Sequence, residues 1–189
     1  DGWSPRLAEI IRMAIWALKI VPEQGIQADL ATVKGLVEEK EYLKALYLLE
    51  IMPENIESAA LKYQCKLEVS ENSAIRYFDV IQEKYRGDEQ YPAVMESIMH
   101  WVLVSDSRTD AVIKNGLDAA ERLLRSGRNG DYRVHETMGI LCYRYGESFK
   151  RKGVQALENS IPAAKMNCAG DDVIKHLEEQ VKIYREKLD

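Results

Sequence analysis

Cysteine is scarce in this chain: Cys65, Cys142 and Cys168 are the only three among 189 residues. They are far apart, odd in number and set among apolar neighbours. That pattern excludes a disulfide framework and predicts buried, reduced thiols in a cytoplasmic setting. Long apolar runs are missing too. A run such as Met13 to Leu18 falls far short of the roughly 20 residues a membrane-spanning helix needs. The first twelve residues lack a basic region followed by an apolar stretch, so no signal peptide is predicted. The chain opens at Asp1 without a methionine, which predicts a processed product or a piece of something longer. Basic charge is in deficit, with 26 lysines and arginines against 31 carboxylates, a net charge of −5. That balance argues against nucleic acid as the main partner, because phosphate binding needs a dominant basic face.

The residue patterns that carry chemistry are also absent. His100, His135 and His176 form no His-x₃-His or His-Glu-x-x-His spacing, and no Cys-x-x-Cys occurs. His100, between Met99 and Trp101, reads as a core histidine, and His135-Glu136 as a surface pair. Gly127-Arg128-Asn129-Gly130 is a polar turn and not a phosphate loop, since no lysine-serine or lysine-threonine follows it. No Gly-x-Ser-x-Gly elbow exists. Carboxylate pairs such as Glu38-Glu39 and Glu178-Glu179 read as solvated helix faces. No metal, cofactor or catalytic set is therefore predicted, and the chain is read as a non-enzyme.

What the chain does have is helical periodicity. With 46% hydrophobic residues it can bury a full core. Ser4-Pro5 reads as a cap with proline in the first turn. Leu7, Ile10, Ile11, Ala14 and Leu18 then form one stripe, closed by Pro22. Further helices are predicted over 26–38, 41–52, 55–68, 71–86, 91–104, 109–126, 132–147, 153–166 and 171–187. Pro53-Glu54-Asn55 stops one helix and caps the next; Gly87-Asp88 and Gly127 to Gly130 are turn material. Gly170-Asp171 supplies a terminal glycine and the next cap. Trp101 to Val104, the most strand-like run, reads as the end of a buried helix.

A small residue recurs with apolar partners four and seven positions on, in Ala45–Leu49–Met52, Ala74–Phe78–Ile81 and, more loosely, Ala119–Leu123–Ser126 and Ala156–Ser160–Ala163. These positions share one helix face and suit close helix approach. Paired helices start near 26, 55, 91 and 132, at intervals centred in the mid-thirties. The phrase from Glu41 to Glu50 resembles the second helix of a tetratricopeptide repeat, and Gly153 to Glu158 resembles it too. The resemblance implies an all-α antiparallel helix-pair array, a right-handed solenoid of about ten helices with degenerate repeats. A HEAT-like array is the alternative. The predicted organisation is an N-terminal helix over 1–22, the array over 23–170 and a C-terminal capping helix over 171–189, all in one domain. Such arrays bind proteins, which implies a scaffold, adaptor or assembly factor gripping a partner's helix or peptide. A cytoplasmic chaperone for a secreted or assembling subunit, and the regulatory helical domain of an enzyme, are the alternatives.

Charge is unevenly spread. Between Asp118 and Lys152 eight basic residues face five acidic ones, so this stretch is +3 while the remainder is −8. Tyrosines interleave with it. Arginine and tyrosine are enriched at interface anchors. The candidate partner-binding residues are Arg122, Arg125, Arg133, Tyr143, Arg144, Tyr145, Lys150, Arg151 and Lys152, expected to form one basic surface for an acidic protein segment. Neither nucleic acid nor membrane is expected as a partner. Tyr42, Tyr47, Tyr63, Tyr77, Tyr85 and Tyr91 read as wedges between helices.

Overall fold

The computed structural model describes residues 29–188 except Asp106 and Arg108. The predicted helix over 5–20 and the first residues of the one over 26–38 lie outside the described residues. Among the described residues the regular structure is nine α-helices and one short 3₁₀ turn, with no strand. None of these helices is long and apolar enough to cross a membrane. The chain divides into two compact units, one ending at Tyr77 and one beginning at Phe78.

The first unit contains α1 (Leu30–Glu38), α2 (Tyr42–Ile51), α3 (Ile56–Val69) and the start of α4 (Glu71–Tyr85). The Asp29 carboxylate accepts the Thr32 N–H at 2.8 Å and so caps α1. That hydrogen bond holds the Asp29 pKa below its usual value. Lys40 takes a left-handed φ of 60° to turn the chain, and the Glu41 N–H returns to the Leu36 carbonyl at 2.8 Å. Pro53 and Asn55 act as expected: Asn55 and Ser58 form a reciprocal capping box at the start of α3. Val33, Ala45, Leu48, Leu49 and Cys65 make the core. Lys62 is also buried, and its ammonium meets Glu50 at 2.9 Å and Glu54 at 3.7 Å. On α4 the stripe Ala74, Phe78 and Ile81 is fully buried, as its spacing predicts.

The second unit runs through α5 (Tyr91–Val104), α6 (Asp110–Arg125), the 3₁₀ turn (Arg128–Gly130), α7 (Tyr132–Tyr145), α8 (Glu147–Met166) and α9 (Asp171–Glu186). From α5 onward each helix packs on the next, and α5 also touches α7. Tyr91, Val94, Met95, Ile98, Met99 and Val102 form the buried stripe of α5. His100 falls off that stripe and is exposed, so it is not a core histidine. Val104 is also exposed, so the strand-like run is helical as expected but only partly buried. Ala119 and Leu123 of α6, and Ala156, Ser160 and Ala163 of α8, are buried; Ser126 is exposed.

Two predicted boundaries move. Helix α7 stops at Tyr145 because Gly146 adopts a φ of 147°, open to glycine without strain. Helix α8 then starts at Glu147 and runs straight through Gly153. Gly153 is not a breaker but a point of close approach. A Cβ there would lie 2.8 Å from the Gly139 carbonyl oxygen, and one on Gly139 would lie 2.9 Å from the Gly153 carbonyl. The two glycines let the α7 and α8 backbones touch. Beyond α8, Cys168 takes the left-handed turn position, with a φ of 52°, and is exposed. The expectation of three buried thiols thus holds for Cys65 and Cys142 and fails for Cys168. Gly170 does not terminate α8; it is the residue that precedes α9. Helix α9 buries Leu177 and Val181, and its charged rim meets α8 through Arg185–Glu158 and Lys165–Glu178.

Candidate partner-binding surface

The side chains singled out for binding fall into three groups in the second unit. The largest gathers where α7 ends and α8 begins. Tyr143 packs edge-on against Tyr184 of α9, with ring centres 4.7 Å apart. The Lys150 ammonium lies 4.9 Å above the Tyr143 ring. Tyr145 packs edge-on against Phe149 at 4.6 Å. Arg144 reaches across to α5 and donates to the Leu103 carbonyl at 2.8 Å, satisfying an acceptor of the last helical turn. Lys187 lies 5.6 Å over the Tyr184 ring.

Basic residues predominate in the sequence around this junction. In sequence Arg144, Lys150, Arg151 and Lys152 stand around the single carboxylate Glu147, and Lys152 is itself paired with Glu121. Glu147 holds Lys150 at 2.5 Å, and this hydrogen bond raises the Lys150 pKa. Burial, with Tyr143 beside it, raises the Tyr184 pKa. Val104, at the end of α5 next to Leu103, is 60% exposed.

The second group is a bridge. The Glu121 carboxylate takes Lys152 at 2.8 Å and Arg125 at 3.3 Å. The Lys152 hydrogen bond holds Glu121 below the usual carboxylate pKa. Arg122 points to the Gln82 amide oxygen instead. The third group is at the far end of α7. Arg133 lies over the Tyr132 ring at 5.7 Å, beside Arg128, which is clamped by Glu96 and Asp131. Here an open hollow of about 480 Å³ is lined by Gly127, Arg128, Asp131, Tyr132, Arg133 and Asn167. Arg133 and Arg144 sit at opposite ends of α7, about 16 Å apart along its axis at 1.5 Å per residue. The nine residues therefore do not form one continuous basic face.

Tyr184, Phe149 and Lys187 complete the first group and were not among the sequence candidates. Nothing local marks Tyr184, which reaches Tyr143 only through the packing of α9. His135 and Glu136 are not paired with each other: a His135 ring nitrogen donates to the Asn129 carbonyl at 2.7 Å, and Glu136 faces His176 at 3.5 Å. Among the described residues no group of three or more histidines, cysteines and carboxylates could hold a metal ion. No known protein family, curated protein or solved structure matches the chain.

Proposed function

We propose that this chain is a non-catalytic protein-interaction module, a cytoplasmic scaffold, adaptor or assembly factor, that binds an acidic segment of a partner protein at the end of α7. The observation that carries this reading is the convergence at that end. Groups from α5, α7, α8 and α9 meet there: the Leu103 carbonyl, Tyr143, Arg144, Lys150 and Tyr184. Aromatic rings give contact area at low entropic cost, and the cations around them suit carboxylates.

The finer architecture that fits this role is a tetratricopeptide-like, right-handed stack of antiparallel helix pairs. Contacts along α7 and α8 support opposite directions. Tyr145 meets Phe149, Gly139 meets Gly153, and the Asn167 amide donates to the Gly130 carbonyl at 2.6 Å. The Leu103–Arg144 and Tyr143–Tyr184 contacts support α5, α7 and α9 running side by side in one direction. In such an array alternate helices share a face, and the side chains at their ends are free to meet a ligand.

The test is an affinity capture with the wild-type chain and with Lys150→Glu and Tyr143→Ala variants. One stoichiometric protein partner, retained by the wild type and lost by both variants at unchanged helicity, is expected. A partner held equally well by all three chains refutes this surface.

A further inference from the structure

We propose that Glu147 is an internal stand-in for the partner's carboxylate: it occupies Lys150 in the free protein and is displaced when an acidic segment docks. The inference rests on the interaction-module reading above and adds a regulatory contact to that surface. Lys150 is fixed from two sides, by the Tyr143 ring at 4.9 Å and by the Glu147 carboxylate at 2.5 Å. Its own side chain is only 21% exposed, so its direction is set by the ring below it. Glu147 is the opposite case. It is 78% exposed and stands in the first turn of α8, directly after Gly146. An exposed carboxylate in one turn of helix gains little from a single lysine and can rotate into water at small cost.

The ammonium over Tyr143 is thus a preorganised cation covered by a weakly held anion. A partner carboxylate would take the place of Glu147 on Lys150, with no other group of the cluster having to move. Tyr143 stays packed on Tyr184, and Arg144 stays on the Leu103 carbonyl. The released Glu147 remains near the helix N-terminus, where negative charge is favoured. The exchange keeps one carboxylate on Lys150 throughout. Docking then selects for segments rich enough in acid to outcompete an intramolecular neighbour, which a singly charged segment does not.

The test uses the full chain and a fluorescein-labelled decapeptide of glutamates around one leucine, followed by anisotropy at 50 mM and 300 mM salt. Glu147→Gln is compared with wild type and with Glu186→Gln. The second variant changes net charge equally, two residues from Tyr184, but leaves Lys150 untouched. The expected result is binding about two- to five-fold tighter for Glu147→Gln than for either other chain, the range set by one exposed ion pair. The gain should vanish when Lys150→Met is added to it. Equal affinities for Glu147→Gln and Glu186→Gln overturn the stand-in role while leaving the binding surface intact. No binding by any chain at 50 mM salt overturns the surface itself, and the stand-in role with it.

Discussion

Replacing Gly139 or Gly153 by alanine probes the backbone-to-backbone approach of α7 and α8. A Cβ on Gly139 would lie 2.5 Å from Leu157 Cγ and 2.9 Å from the Gly153 carbonyl oxygen. A Cβ on Gly153 would lie 2.8 Å from the Gly139 carbonyl oxygen, 3.1 Å from Cys142 Cβ and 3.3 Å from the Tyr143 nitrogen. Both obstacles include backbone, which cannot rotate away, so α7 and α8 must separate by several tenths of an ångström. Overpacking of this kind costs about 1–3 kcal/mol. Alanine in a helix recovers about 0.5–1 kcal/mol over glycine. The net expectation is a loss of up to about 2.5 kcal/mol at either site. Gly35 in α1 is the control, because nothing lies within 4 Å of its Cβ position. Gly35→Ala should stabilise by about 0.5–1 kcal/mol from helix propensity alone. The double variant Gly139→Ala/Gly153→Ala should cost less than the two single losses added, because one separation serves both methyl groups. Urea unfolding followed by circular dichroism measures all four. Gains in midpoint at Gly139 and Gly153 matching that at Gly35 refute the close approach of the two helices.

Lys62 separates packing from charge in the first unit: its partners Glu50 and Glu54 are 57% and 27% exposed, so they can hydrate when it is removed. Lys62→Met, which keeps the buried stem, should change stability by less than about 1 kcal/mol, whereas Lys62→Ala should cost about 1–3 kcal/mol, read from urea midpoints. The three thiols should differ in reactivity. Burial pushes the Cys65 thiol up to about 12 and raises that of Cys142, while Cys168 is exposed. At pH 8 a disulfide reagent should titrate Cys168 alone in the native protein and all three thiols in denaturant; rapid native reaction of Cys65 contradicts its place in the core.

The helices were legible because their punctuation is chemical. Pro53 cannot continue α2, Asn55 caps α3, and the stripes through Ala45 and Ala74 repeat at helical spacing. The errors come from places where one residue type serves two physical ends. Gly153 looks like a helix start, yet it is a contact glycine, while Gly146, which the periodicity runs through, makes the break with its positive φ. His100 has apolar neighbours in sequence but points away from the stripe of Met95, Ile98, Met99 and Val102. Cys168 lies just past the last turn of α8, where the chain reverses outside the core. The candidate surface was half legible. Tyr143 and Lys150 stand close together in sequence and meet in space, while Arg144 reaches Leu103 and Tyr145 packs on Phe149. Arg133 has the same composition around it, but the length of α7 carries it to the other end. Tyr184 enters through tertiary packing alone.

The proposed binding mode places an acidic segment at the end of α7 and not in the Arg128–Arg133 hollow. Two-dimensional amide NMR of the labelled chain, titrated with the oligoglutamate decapeptide at low salt, tests it most directly. Exposed charges are screened beyond about 10 Å at 0.1 M salt, so low salt gives the contact its full strength. Saturable shifts at Tyr143 to Arg151 and at Tyr184 to Lys187, fading as salt is raised, are expected. Shifts centred on Gly127 to Arg133, or none at saturating peptide, would contradict this binding mode.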